Sequence, residues 1–244
     1  MPIDSGNLAL KGLDDLFSTE ENRQEEQREQ VQQIPIDALH PFTNHPFKVL
    51  DDEAMTRTVE SIAQYGVLAP LIARPRPEGG YEIISGHRRQ HAAQLAGLDA
   101  LPVIVRNMDD DAAVLLMVDS NLQRENILPS ERAFAYKMKL EAIKNQGARS
   151  DLTSGQIVQK SKLSIERVAE DAGEGYKTVQ RFIRLTNLVP ELLDMVDEKK
   201  ISFNPAVELS YLDTNQQRDF LEAMQDTQNA PSLSQAQRLK KLAQ

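Results

Sequence analysis

Two short stretches carry side chains whose types and spacing suit chemistry. In Ser85-Gly86-His87-Arg88-Arg89 a glycine is followed, one residue later, by adjacent arginines, at what reads as a strand-to-helix junction. The first amides of a helix have no intrahelical acceptor and the helix dipole favours an anion there. Glycine lets a ligand approach the backbone closely, and paired guanidinium groups offer forked donors to phosphate oxygens. The chemistry would be phosphate binding; the plain alternative is a solvated pair of arginines. His87 and His91 stand at i and i+4, as a metal pair would, but no third ligand lies at metal-site spacing and no H-E-x-x-H frame surrounds them. The second stretch is Tyr176 to Arg184. A helix here buries Val179, Phe182 and Ile183 and exposes Lys177, Thr178, Gln180, Arg181 and Arg184. That face has three cations and no acid, with side chains able to read base edges, which points to DNA.

The elements needed to position these groups are legible around them. Val168, Ala169, Ala172, Gly173, Val179 and Phe182 fall where a helix-turn-helix at 165–184 needs core, a small residue at the helix contact, a turn glycine and core again. Glu174 is the poor match, because an apolar residue is more usual there. Upstream, Asp51 or Asp52 can cap a helix with Met55, Val59 and Ile62 on its apolar face and Gly66 at its end. Val67–Arg74 reads as a strand, 75–80 as a turn, Tyr81–Ser85 as a strand, 86–97 as a helix, Leu101–Arg106 as a strand and Asp109–Gln123 as a helix. Strands alternating with helices predict a compact α/β domain over 34–127. After Asn126 the strand signals stop. A helix over 130–146, carrying Lys137, Lys139 and Lys144, is expected to join the two halves; a Gly, Ser and Asp-rich loop follows at 147–155. Helices are then expected at 156–160, 165–172, 176–187, 190–197, 204–210, 215–226 and 232–243, making 128–244 an all-α domain.

The charge balance at first argues against DNA. The chain has 244 residues with 28 Lys+Arg and 37 Asp+Glu, a formal charge of −9. Residues 1–33, with eight acids and three bases, hold −5 of it. Ser18 to Gln33 contains five Glu and six Gln or Asn, too polar to bury a core, so residues 1–33 are expected to be a disordered tail. The other 211 residues carry 25 bases and 29 acids, and the field facing DNA can be positive while the molecule is not. There is no cysteine, which excludes disulfide frameworks, thiolate zinc sites and cysteine nucleophiles. No apolar run approaches the ~18–20 residues of a membrane span and no signal-peptide pattern opens the chain, so a cytoplasmic protein with no membrane partner is expected.

In this order several motifs resemble the ParB/RepB family of bacterial DNA-partition proteins: Gly66-Val67-Leu68-Ala69-Pro70, Tyr81-Glu82-Ile83-Ile84-Ser85-Gly86-His87-Arg88-Arg89, Asn121-Leu122-Gln123-Arg124-Glu125 and the helix-turn-helix. The fold class implied is α+β, a small N-terminal α/β ParB/sulfiredoxin-like domain followed by an all-α helix-turn-helix domain. The resemblance implies a protein that binds a centromere-like DNA site, closes as a CTP-gated clamp and spreads, as a dimer on a nucleoid or plasmid. Ser85, Gly86, His87, Arg88, Arg89, Asn121 and Arg124 would bind CTP, with Asn121 helping to place Mg2+. Leu10-Lys11-Gly12-Leu13-Asp14-Asp15-Leu16-Phe17 is similar to the family's peptide for a ParA-type ATPase, with Lys11, Leu13, Leu16 and Phe17 as its contacts.

This chain departs from the pattern at three places. His87 stands where the common phosphate motif has Glu, Ser120 replaces the Glu of Glu-Asn-x-x-Arg, and Ala69 stands where Gln is frequent. Ser120 leaves CTP hydrolysis open, since the missing carboxylate is the one expected to serve the metal, and Asp119 is about 100° away round a regular helix. The rival readings are a helix-turn-helix repressor with a non-catalytic α/β domain, a nucleotide-dependent kinase and a nuclease. The family's usual C-terminal dimerisation domain would lie beyond the basic helix that carries Arg238, Lys240 and Lys241, so a truncated chain or a compact variant is expected.

Overall fold

The structure, a computed structural model, describes residues 30–124, 126–150, 157–227 and 229–243. Its first half contains β1 (Val31–Pro35), a 3-10 turn (Ile36–Ala38), β2 (Leu39–His40), α1 (Glu53–Tyr65), β3 (Leu71–Pro75), β4 (Tyr81–Ser85), α2 (His87–Leu95), β5 (Ala100–Val105) and α3 (Asp110–Leu122). The strands form one sheet in the order β1-β5-β3-β4-β2. β1 and β5 are antiparallel, as are β3 and β4, whereas β3–β5 and β2–β4 are parallel. Alternation along the strands feeds two cores. Ile83 packs with Met55, Ile62, Ala92 and Ala93 under α1 and α2. Its neighbour Ile84 packs with Phe42, Phe47, Met117, Val118 and Ala135 on the other side.

The second half is helical: α4 (Pro129–Ser150), α5 (Ile157–Asp171), α6 (Tyr176–Leu185), α7 (Pro190–Asp197), α8 (Phe203–Leu209), α9 (Thr214–Thr227) and α10 (Leu233–Ala243). α4 takes part in three cores at once. Ala135 meets the sheet-side cluster, Tyr136, Leu140 and Ile143 meet Val168, Ala169 and Val179, and Ala133 meets Leu185, Leu192, Ile201 and Leu209. Between α3, α4 and α5 lies the ammonium of Lys139, whose side chain is 2% exposed. It contacts Asp119 at 2.6 Å and Asp171 at 2.9 Å.

Several boundaries differ from the sequence expectation. A strand begins at Val31, inside the stretch expected to be a tail; of its residues only Ile34 is buried, and backbone pairing with β5 holds the polar Gln32 and Gln33 in place. The strand expected from Val67 begins at Leu71, because the carbonyls of Ala69 and Pro70 accept from Arg89 and do not join a ladder. α4 runs through Gly147 to Ser150, since a helical glycine costs only about 1 kcal/mol and does not itself end a helix. The helices expected at 156–160 and 165–172 are one, with no proline or glycine between Ile157 and Asp171 to divide them. The 151–155 part of the expected loop, and residue 156 of the helix expected after it, lie outside the described residues.

The Lys139 cluster predicts an asymmetry. Lys139→Met frees two carboxylates that water already reaches, so it should cost about 1 kcal/mol or less. Asp119→Ala with Asp171→Ala strands a buried ammonium and should cost about 3–5 kcal/mol. Urea unfolding of the two variants measures the difference, and equal losses would contradict it.

Candidate functional site

The anion turn is built by β4 and α2. Gly86, the N-cap of α2, has φ of 109°, a left-handed conformation, and a Cβ there would lie 2.7 Å from Leu71 Cγ, so the position accepts only glycine without strain. The first intrahelical bond runs from Gln90 N to Gly86 O, leaving the amides of His87, Arg88 and Arg89 without intrahelical acceptors. Ser85, half-buried, ends β4 opposite Ile72. Arg89 Nη1 donates to Pro70 O at 2.8 Å and to Ala69 O, clamping the 66–70 loop against α2; burial lowers its pKa. Arg88 is the more available cation, with only a long 3.5 Å contact to Asp52 Oδ1 among the described residues. Asp52 is itself the N-cap of α1, accepting from Met55 N at 2.8 Å.

His87 points inward and is 9% exposed. Its Nε2 accepts the amide hydrogen of Phe42 at 3.2 Å, so the ring is neutral, and burial pushes its pKa down to about 3. The His45 ring lies against it with centroids 3.9 Å apart, and His45 Nδ1 donates to Phe47 O at 2.8 Å. Burial lowers the His45 pKa too, and that ring also feels the charges of Arg124 and Glu131. Arg124, just past the end of α3, thus acts on the ring that lies against His87. At that helix end Asn121 Nδ2 and Ser120 Oγ both donate to Met117 O, at 2.9 and 3.0 Å, and the amide of Arg124 donates to Asn121 O at 3.1 Å. Asp119 is held by Lys139. His91 pairs with Asp51 at 2.7 Å and not with His87, and no group of three His, Cys, Asp or Glu suited to a metal occurs among the described residues.

The helix-turn-helix is formed by α5 and α6. Gly173 has φ of 64°; its amide donates to Glu170 O at 3.1 Å and that of Glu174 to Ala169 O at 2.9 Å, the paired bonds of a Schellman turn. Glu174, anomalous in the sequence, pairs with Arg132 Nη1 at 3.3 Å. On α6, Val179 and Leu185 are buried while Lys177, Gln180 and Arg181 are exposed along one face. Thr178 is half-buried. Arg181 donates to Asn204 Oδ1 and lies 5.1 Å from the Phe203 ring centroid. Arg184, expected to be exposed, is half-buried: Nη2 donates to Ser210 O at 3.1 Å and the guanidinium sits 4.0 Å over Tyr211. Sequence reading missed the bracing by Phe203, Asn204 and Tyr211, for which no local signal exists, and the inward turn of His87. Lys11, Leu13, Leu16 and Phe17 lie outside the described residues.

The ParB N-terminal domain model matches residues 20–122 and the ParB HTH domain model residues 153–241. A probable chromosome-partitioning protein ParB of Pseudomonas putida is 30% identical over 215 residues, which cover 86% of this chain and 68% of that protein. This chain belongs to the ParB family. The stage 0 sporulation protein J of Bacillus subtilis is 34% identical over 192 residues, covering 79% of this chain and 60% of that protein. Among solved structures, a Pnob8-like ParB-N domain superposes with a TM-score of 0.52 at 14% identity, covering 88% of this chain and 92% of that one, a likeness of fold alone. No helix among the described residues is long and apolar enough to cross a membrane.

The buried neutral imidazole predicts a pH dependence. Unfolded His87 takes up a proton below its ordinary pKa of 6.5, whereas the folded ring stays neutral down to about 3. Stability is therefore full above pH 6.5 and falls as the pH drops towards 3, by at most about 1.4 kcal/mol per pH unit from this group. His87→Gln keeps an acceptor for Phe42 N without the titration. Between pH 7 and pH 5 its urea midpoint should decline less than that of the wild type; parallel declines would count against the assignment.

Proposed function

We propose that this chain is a DNA-partition protein that reads a centromere-like site with α6 and is gated by CTP at the turn from Ser85 to Arg89. The observation that carries the DNA reading is the face of Lys177, Gln180 and Arg181, spaced i, i+3 and i+4 on a helix held by a Schellman turn, with no acid on α6. Arg181, braced on Phe203 and Asn204, is the residue proposed to contact a base edge, with Lys177 and Gln180 its neighbours on the DNA and Thr178 beside them; Arg184, held by Ser210 O and Tyr211, steadies the helix instead. The family supplies the partition role.

The residues at the anion turn fit a triphosphate. Gly86 takes the left-handed backbone that starts α2, the first three amides of the helix have no intrahelical acceptors, and Arg88 in its first turn has, among the described residues, only a 3.5 Å contact to Asp52. Gly86, Arg88 and the His87 and Arg89 amides would hold phosphate oxygens, with Ser85, Asn121 and Arg124 nearby. Bound CTP would supply the switch between DNA-loading and clamped states. Among the described residues the end of α3 offers the Asn121 amide and the Ser120 hydroxyl, while its carboxylate, Asp119, is paired with Lys139, so Mg2+ would be held chiefly by the nucleotide's own phosphates, with Asn121 assisting. The same donor set supports CTP binding more directly than hydrolysis. The N-terminal peptide with Lys11, Leu13, Leu16 and Phe17 is proposed to engage a ParA-type ATPase, and two copies of the chain to act together on the nucleoid or plasmid. The proposed units are an N-terminal tail that ends before β1, a nucleotide domain from Val31 to residue 127 and the DNA-binding domain 128–244.

Arg181→Ala should weaken binding to the selected duplex by about 1–3 kcal/mol and relax its sequence preference, while Lys177→Ala, if it meets phosphate, should weaken all sequences alike. Undiminished site-specific binding by Arg181→Ala would reject the recognition-helix assignment. Titration with CTP, ATP, GTP and UTP in Mg2+ should show a preference for CTP that falls at least tenfold in Arg88→Ala. Absence of any nucleotide preference would favour a repressor with a non-catalytic α/β domain.

A further inference from the structure

Residues 41–48 cross from the sheet to the helical half, and side chains of both halves hold them at each end. At the sheet end, Phe42 N–H donates to His87 Nε2 at 3.2 Å, and Thr43 donates through its amide (3.1 Å) and its hydroxyl (3.3 Å) to Glu82 Oε1. Glu82 is buried and fixed in turn by Arg74, whose Nη2 lies 2.7 Å from Glu82 Oε2. At the other end, Lys48 N–H donates to Glu131 Oε1 at 2.7 Å, and Glu131 Oε2 accepts from Leu128 N at 3.0 Å. Glu131 is 4% exposed and lies in the first turn of α4. Lys48 Nζ is 3.6 Å from both Asp194 and Asp197 of α7, and Asp197 Oδ1 accepts Ser130 N at 2.9 Å while its Oδ2 takes the Ser130 hydroxyl. Phe42 and Phe47 anchor the segment in the core shared by β4, α3 and Ala135 of α4. Bonds at both ends and two buried aromatic rings restrain the segment between the two halves.

We infer that His87 and Glu131 are positioning residues that transmit occupancy of the anion turn to the DNA-binding half through residues 41–48. This rests on the nucleotide reading above and names the route by which that site is coupled to α6. The backbone of residue 87 faces the phosphate position while its side chain faces the segment, so an anion drawing in the α2 amides acts on the same residue that holds Phe42. Glu131 receives the other end at the first turn of α4, and α4 packs on α6 through Tyr136, Leu140 and Ile143. Where the common phosphate motif has Glu, this chain has a neutral acceptor aimed inward at the segment. Coupling of this kind is a ratio of affinities, independent of either affinity alone.

The test uses the full chain, CTP with Mg2+, and a duplex enriched by this chain from random-sequence oligonucleotides. The dissociation constant for the duplex is measured with and without saturating CTP in wild type, His87→Gln, His87→Leu and Glu131→Gln, each checked for folding by circular dichroism. The wild-type ratio is expected to lie about 5-fold or more from unity. His87→Gln, which keeps the acceptor, should retain it. His87→Leu and Glu131→Gln, which lose one acceptor each, should bring it at least threefold closer to unity. Hydrogen exchange over residues 41–48 should change on adding CTP in wild type and not in His87→Leu, a readout available even if a variant is too unstable for the DNA titration. Wild-type ratios preserved in folded His87→Leu and Glu131→Gln, or exchange over 41–48 that responds to CTP identically in wild type and His87→Leu, overturn the route while leaving the nucleotide site standing. Wild type that binds no CTP overturns the nucleotide reading itself.

Discussion

The ammonium of Lys139 has to be neutralised where it is buried, and three helices are arranged around that need. Asp119 comes from the end of α3 and Asp171 from the last turn of α5, so one cation on α4 ties the sheet half to the first helix of the DNA reader. A charge removed from water is tolerated only when partners are in place, which favours one relative placement of these helices over neighbouring ones. The two carboxylates remain about half-exposed, so the arrangement strands nothing else. Further along α4 the same logic applies to backbone groups. The amides at its start are satisfied by Glu131 and by Asp197 from α7, negative groups at the positive end of a helix dipole.

The cations on α6 divide their work. Arg184 is spent on the fold: it stacks on Tyr211, whose ring also meets Lys240 of α10 at 3.5 Å, and it donates to the end of α8. Arg181 keeps its exposure and is steadied by Phe203 and Asn204, which lowers the entropy lost when it docks. The formal charge of −9 is compatible with this because more than half of it resides in residues 1–33, and α6 carries no acid at all. A reader of this kind depends on local field and geometry, not on net charge.

Local elements were legible wherever neighbours in sequence settle them. The Asp52 cap, the glycines at 86 and 173, and the buried spacing of Val168, Ala169 and Val179 all follow from one stretch of chain, and all are found. Strand β1 was not legible, because its residues 31–33 are exposed and are held by backbone pairing to β5, some seventy residues away, a bond that side-chain pattern does not encode. Two helices were expected over 156–160 and 165–172 where one runs from Ile157 to Asp171, because that stretch holds no proline or glycine to stop a helix.

For the sites, residue types alone determined that a glycine and two arginines stand at a helix start and that α6 has one basic face. Which way each side chain turns was decided by tertiary structure. His87 turns inward because Phe42 N–H needs an acceptor there, Arg89 is taken by carbonyls of residues 69 and 70, and Arg184 by Tyr211. Sequence determines the chemistry available at a position over a few neighbouring residues. Buried polar groups must find partners wherever the fold brings them, and only the folded chain settles which of those chemistries remains free to meet a ligand.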